Sequence, residues 1–139
     1  MRTIILYNDK LARILLMRGY HTITIGPFVI TTKKRSEVNP CIIRHERTHV
    51  HQWAEITLLC MWAVLLCHLA CDVSMWWTTV CPVIFYVWYV TEYLIRCLAG
   101  HGTQKEAYRS IAFEQEAYAN EQDEKYLDRR NLFAFARYY

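Results

Sequence analysis

A chain of 139 residues and 16.6 kDa is long enough for one ordinary domain and too short for two. Hydrophobic residues make up 54% and charged residues 21%, which excludes a disordered tail protein, and four glycines and three prolines are too few for a turn-rich all-β sandwich. A net charge of +3, with no stripe of alternating basic and aromatic residues, argues against a nucleic-acid partner. What remains is a mainly α chain, soluble or membrane-attached.

The opening residues, MRTIIL, form too short an apolar run for a signal peptide, and Asn8, Asp9 and Lys10 follow at once. Residues 10–17 (KLARILLM) read as a short amphipathic turn or helix. Residues 20–32 (YHTITIGPFVITT) are rich in alternating β-branched positions and break at Gly26-Pro27, the pattern of a short β-hairpin. A polar connector follows to Pro40. Asn39-Pro40 is a suitable helix start, with proline at the first helical position. From about Cys41 a helix is expected to run past Trp53 and straight into an apolar stretch.

All 16 Lys and Arg residues fall at or before Arg47 or at or after Arg96, and residues 48–95 contain none. This desert holds two apolar runs, 56–71 and 73–90, with only Glu55, Asp72 and Glu92 as acidic residues. A bilayer core needs about 20 apolar residues per helix. Residues 54–71 would span about 27 Å as a helix, with Trp53 at one interface and Trp76 and Trp77 at the other. The pattern predicts a membrane hairpin within 54–98, with His68 and Asp72 at its wet end. Positive charge flanks both outer ends and is missing from the turn, so both termini are expected on the cytoplasmic side of an inner or cytoplasmic membrane. The competing expectation is a soluble protein in which these two helices form the core.

Six cysteines, 41, 60, 67, 71, 81 and 97, show no disulfide-scaffold spacing and read as free buried thiols. Cys67-His68-x-x-Cys71 offers too few ligands for a metal site. Residues 99–102 break the second run. Residues 104–130 are rich in Ala, Glu, Gln and Tyr and favour helix. Lys105–Tyr108 and Gln115–Tyr118 echo each other ten residues apart, nearly three turns of one helix, so the two copies are expected on one face. Residues 131–139 read as a docking or interfacial segment.

The motif that carries chemistry is His45-Glu46-Arg47-Thr48-His49, an H-E-x-x-H. Four residues apart on a helix, the two imidazoles project from one face and can bind one zinc ion. Glu46 is placed to take a proton from water and pass it to a leaving amine. The preceding hairpin strand could hold an extended peptide by backbone pairing. A catalytic zinc wants a third protein ligand, and residues 112–121 are the richest acidic cluster. Glu114 and Glu116 lie about 200° apart around a helix, so only one of them can face the metal. His51 and His21 read as surface or cleft-edge groups. Tyr118 reads as a packing residue, with an oxyanion-stabilising hydroxyl as the alternative.

These segments, residues 45–52 and then 113–117, resemble the gluzincin metallopeptidases. Within these they resemble the small HExxH proteins and the integral-membrane CAAX-protease and heat-shock-protease relatives. In that group the third ligand is the first Glu of an E-x-x-A-D pattern on a later helix. The resemblance therefore implies His45, His49 and Glu114 as zinc ligands and Glu46 as general base. Tyr118 stands where the pattern's final Asp would lend support from behind the site. It implies a single zincin-like domain over 1–139, mainly α with a short β-hairpin and an apolar helical hairpin. It also implies a zinc-dependent peptidase acting on a peptide or protein; whether an oligomer or partner protein completes so small a cleft is left open by the sequence. Two other readings stand beside it. One is a non-catalytic membrane-embedded interaction protein that keeps the fold; the other is a metal-binding module without hydrolysis.

Overall fold

The computed structural model describes residues 3–7, 21–100 and 102–139; the amphipathic segment expected at 10–17 lies outside them. The chain is mainly helical, with one small sheet. Strands β2 (Thr22–Ile25) and β3 (Phe28–Thr31) form the expected antiparallel hairpin. A third strand, β1 (Ile4–Leu6), adds to β3 in parallel, giving the order β1-β3-β2. The hairpin turns at Gly26, whose φ is +56°. A Cβ there would stand 3.3 Å from the Trp53 ring, so glycine serves both the backbone conformation and the packing. The Gly26 N–H donates to the Tyr86 hydroxyl at 2.6 Å.

Helix α1 (Pro40–Cys71) is one continuous 32-residue helix. It is capped at its start by the Asn39 side chain, which accepts from the Cys41 N–H at 2.9 Å. It ends where Asp72 adopts a left-handed conformation. Its two halves differ in kind. Every buried residue of α1 lies between His45 and Thr57, while Leu58, Leu59, Trp62, Leu65, Leu66 and Leu69 are exposed.

The second apolar run departs from the single helix expected over 73–90. Residues Met75–Thr79 form a 3-10 helix capped by Ser74, and helix α2 begins only at Cys81 and continues to Leu98. Pro82 is the reason: it has no N–H to give, and its ring would clash inside a helix running through it. At the first turn of α2 it costs nothing. The stretch 104–130 is likewise broken, into α3 (Gln104–Arg109), α4 (Ala112–Asn120) and α5 (Tyr126–Arg129). Ile111 is extended, and the Ala112 N–H that opens α4 donates to Glu92 Oε1 of α2 at 2.9 Å. The two copies of the sequence echo therefore sit on different helices, not on one face. All six cysteines are free, as expected, but only Cys81 is buried; Cys67, Cys71 and Cys97 lie on the outer faces of the apolar helices.

The core gathers Ile56, Phe85, Ile111, Phe113 and Phe135, with Trp53, Tyr86 and Tyr89 packed against it. Tyr89 stacks on Phe113 at 6° between ring planes. The C-terminal segment docks onto this core through Phe135, and the Tyr139 hydroxyl donates to Glu92 Oε2 at 2.6 Å. Arg130 enters between Glu55 of α1 and Glu116 of α4 and pairs with both.

Helices α1 and α2 are each long and apolar enough to cross a membrane, and only 17% of the most apolar stretch of each is buried. Their outward side chains include Val83, Val87, Val90, Leu94 and Leu98 of α2. Among the described residues these faces have no cover.

Candidate metal centre

The polar half of α1, below the apolar stretch at 56–71, carries the site. His45 and His49 stand one turn apart on the face turned toward α4, and Glu114 in the first turn of α4 points back at them. His45 Nε2 and His49 Nε2 are 3.2 Å apart. His45 Nε2 lies 3.3 Å from Glu114 Oε2, and His49 Nε2 lies 3.0 Å from Glu114 Oε1. All three residues are buried, and together they could hold a metal ion. Among the described residues the group has no fourth His, Cys, Asp or Glu.

The carboxylate of Glu114 is unusual in its environment. Its side chain is 1% exposed. Oε1 accepts from the Tyr89 hydroxyl at 2.6 Å and the Tyr108 hydroxyl at 2.9 Å. Oε2 is buried with no hydrogen-bond partner, and His45 Nε2 stands 3.3 Å from it. A buried carboxylate oxygen without a donor is costly, and it is the atom that a cation between the imidazoles would satisfy. Burial alone would raise the Glu114 carboxyl, but the charge of His49, helped by the close approach of His45, holds it well below the usual carboxylate range. Burial alone would lower His49, yet the facing Glu114 carboxylate outweighs it and raises His49 to about 9.

Behind the donors lies a second set of contacts. His45 Nδ1 is 3.2 Å from Glu121 Oε2, and His49 Nδ1 is 2.8 Å from Gln52 Oε1. Gln52, fully buried, donates in turn to the Phe113 carbonyl at 3.1 Å and to Glu116 Oε2 at 3.0 Å. Glu116 therefore faces Gln52, Tyr126 and Arg130 rather than the imidazoles. Of the two acids left open by helical spacing, only Glu114 joins the histidines.

Glu46 sits at the sheet. Thr24 of β2 donates its hydroxyl to Glu46 Oε2 at 2.6 Å, and β2 is an edge of the sheet among the described strands. Tyr118 lays its ring edge-on to His45 with centroids 4.6 Å apart, under the Arg109 guanidinium at 5.2 Å. His51 lies outside the donor group, near Arg130 and Glu116, and burial holds its imidazole below the ordinary range. His21 is exposed, with its imidazole Nδ1 3.4 Å from the Thr32 hydroxyl. His68 meets the Val73 carbonyl at 2.9 Å at the hairpin tip, and among the described residues it joins no metal-ligating group.

No family model matches this chain, and no curated protein or solved structure does. Its function must be read from this geometry and chemistry.

Sequence reasoning did not find Gln52, Glu121, Tyr89, Tyr108 or Thr24. Two of these carried a usable signal. Gln52 is three residues beyond His49, and Glu121 is seven beyond Glu114, both offsets that return to the same helix face.

Proposed function

We propose that the chain is a membrane-embedded zinc metallopeptidase. The observation that carries this reading is the spacing of the three donors. Ligands about 2.0–2.2 Å from one tetrahedral zinc stand roughly 3.3–3.6 Å from each other; His45 Nε2 lies 3.2 Å from His49 Nε2 and 3.3 Å from Glu114 Oε2, and one donor atom from each of the three residues falls within 4.8 Å of the others. Two neutral imidazoles and one carboxylate suit zinc and match the three-ligand pattern of catalytic sites. His45, His49 and Glu114 would hold the ion. When bound, zinc supplies Lewis-acid polarisation of a scissile carbonyl and makes water more acidic.

The protein's own residues do the rest. Thr24 holds Oε2 of Glu46 and leaves Oε1 to accept the proton of the attacking water and deliver it to the leaving amine. The edge of β2 that carries Thr24 offers backbone groups to an extended peptide. Tyr118 occupies the position of the acid expected from the resemblance, which on its own would favour a degenerate site. Glu121, one turn later, supplies a carboxylate to His45 Nδ1, so the support from behind is present, moved by one turn.

The exposed apolar faces of α1 and α2 support a lipid setting for the hairpin. The absence of Lys and Arg from 48–95 supports cytoplasmic termini. The test is metal content and cleavage in parallel. Purified wild type should carry about one zinc per chain, and His49→Ala should carry none. Glu46→Gln should keep the zinc and lose cleavage of a mixed peptide library and of unfolded membrane proteins by about 10²–10⁴-fold. Equal zinc in wild type and His49→Ala would refute the metal site. Undiminished cleavage by Glu46→Gln would remove that residue from the mechanism.

A further inference from the structure

We propose that Gln52 is the positioning residue of this centre: anchored by Glu116 and Arg130, it holds the His49 ring with Nδ1 protonated and Nε2 turned to Glu114. The use of that orientation rests on the metal reading above; the orientation itself does not.

The argument is one of hydrogen-bond bookkeeping. One end of the Gln52 amide lies against the Phe113 carbonyl oxygen and Glu116 Oε2, at 3.1 and 3.0 Å. A carbonyl and a carboxylate only accept, so the amide nitrogen must be at that end. The amide oxygen must then face His49 Nδ1 at 2.8 Å. An amide oxygen cannot donate, so Nδ1 has to carry the proton. Once a metal ion displaces any proton on the other nitrogen, the free lone pair is at Nε2. That atom stands 3.0 Å from Glu114 Oε1 and 3.2 Å from His45 Nε2. Turning the amide over would strip its nitrogen of two acceptors and set its oxygen against a carboxylate inside the protein, where an unmade hydrogen bond is most costly.

What fixes the amide is the pair of acceptors at its nitrogen end, the Phe113 carbonyl and Glu116 Oε2, the latter held in place from the far side. Arg130 supplies the counter-charge, with its side chain 2% exposed and that of Glu116 0% exposed. The Tyr126 hydroxyl adds a donor to Glu116 Oε1 at 2.7 Å. Order passes from the docked C-terminal segment through Arg130 to Glu116, then to Gln52, then to His49. His45 is turned the same way by Glu121, just past the end of α4.

The test uses full-length protein in detergent micelles, labelled with ¹⁵N at histidine. It compares wild type, Gln52→Leu and the double variant Gln52→Glu/Glu116→Gln. In metal-free wild type, His49 Nδ1 should carry a slowly exchanging proton close to the Gln52 side chain. In Gln52→Leu, similar in bulk but with no acceptor, that signal should be lost while circular dichroism is unchanged. Zinc affinity by chelator competition should fall about 10–100-fold. The double variant restores an acceptor at Nδ1 and keeps one carboxylate between the two positions, so its affinity should return to within a few-fold of wild type. Should Gln52→Leu fail to fold, the wild-type signal decides by itself. A wild type without the protected Nδ1 proton overturns the proposal, as does a folded Gln52→Leu that binds zinc as tightly as wild type. A wild type that shows the proton but takes up no zinc overturns the metal reading and leaves the orientation standing.

Discussion

Tyr89, midway along α2, donates to Glu114 Oε1 at 2.6 Å. A helix whose outer face is bare and apolar thus reaches, on its inner face, the carboxylate that completes the His45–His49 pair. The same helix opens α4 through Glu92, which accepts from the Ala112 N–H. The hairpin is consequently part of the site's wall and not an anchor joined to a separate domain.

Tyr89→Phe is expected to remove that donor and leave the ring stacked on Phe113. Tyr108 still donates to the same oxygen, so zinc affinity should fall toward the lower end of the range for supporting residues, about tenfold. A hydrogen bond to a charged group is worth about 1.5–3 kcal/mol, so unfolding in detergent should also shift. Chelator competition and a denaturation curve check both. Unchanged affinity would show that Tyr89 does not orient Glu114.

The part of the site legible in the sequence was local. The pairing of His45 with His49 follows from helical spacing, and Asn39-Pro40 marks where that helix begins. Periodicity left Glu114 and Glu116 as equal candidates. They are separated by what each meets across the fold: two imidazoles for one, Gln52 and Arg130 for the other. Tyr89 and Thr24 reach their partners across 25 and 22 residues, and Tyr108 and Arg130 reach theirs from outside α4, so no helical pattern announces them. The breaks at Cys81 and Ile111 were legible to different degrees. Pro82 announces the first, whereas the second depends on a carboxylate supplied by another helix. The third strand, Ile4–Leu6, was hidden because three residues carry no periodicity and pairing with β3 is long-range.

Metal uptake should release protons. Without metal, His49 is raised to about 9 by Glu114, so at pH 7 it carries a proton on each nitrogen, and the one on Nε2 must leave when that atom becomes a ligand. This group alone should strengthen apparent zinc affinity about tenfold per pH unit between pH 6 and 8 and stop doing so as pH passes about 9. The sign for the metal-free fold is opposite on the alkaline side. A raised His49 adds stability that is complete below its ordinary value near 6.5 and fades as pH rises through about 9. The lowered Glu114 adds stability that is present above the usual carboxylate range and lost as pH falls through its depressed value. Calorimetric titration in buffers of different ionisation enthalpy counts the protons. Zinc binding that releases none at pH 7 would contradict the ion pair.

Arg130→Met should be among the most damaging single substitutions. It leaves Glu55 and Glu116, both buried, without their shared cation, and breaking a buried pair costs about 3–5 kcal/mol. The Phe133 N–H, which donates to Glu55 Oε2 at 3.1 Å, would lose a well-placed acceptor, so the C-terminal segment should loosen with it. Limited proteolysis after residue 121 should accelerate well before the rest of the chain is cut. A variant as stable and as protease-resistant as wild type would mean that the segment is held by Phe135 and Tyr139 alone.

The hairpin can be tested by where its tip lies. Ser74 and Trp76 are exposed beside the left-handed turn at Asp72, at the end of α1 farthest from the histidines. With 16 residues at 56–71, the apolar half of α1 is about 24 Å long, close to the hydrocarbon thickness of a bilayer once flanking residues such as Trp53 are included. If the hairpin crosses the membrane, a Ser74→Cys label in a variant with the six native cysteines replaced should react with an impermeant thiol reagent only from the side opposite the termini. Tags at both ends should be digested together from the cytoplasmic side, in keeping with the basic residues that flank residues 48–95. Alkaline carbonate should leave the protein in the membrane. Release by carbonate, or labelling of position 74 from the same side as the termini, would mean that the exposed leucines and tryptophans rest on one leaflet or on another protein instead of crossing the bilayer.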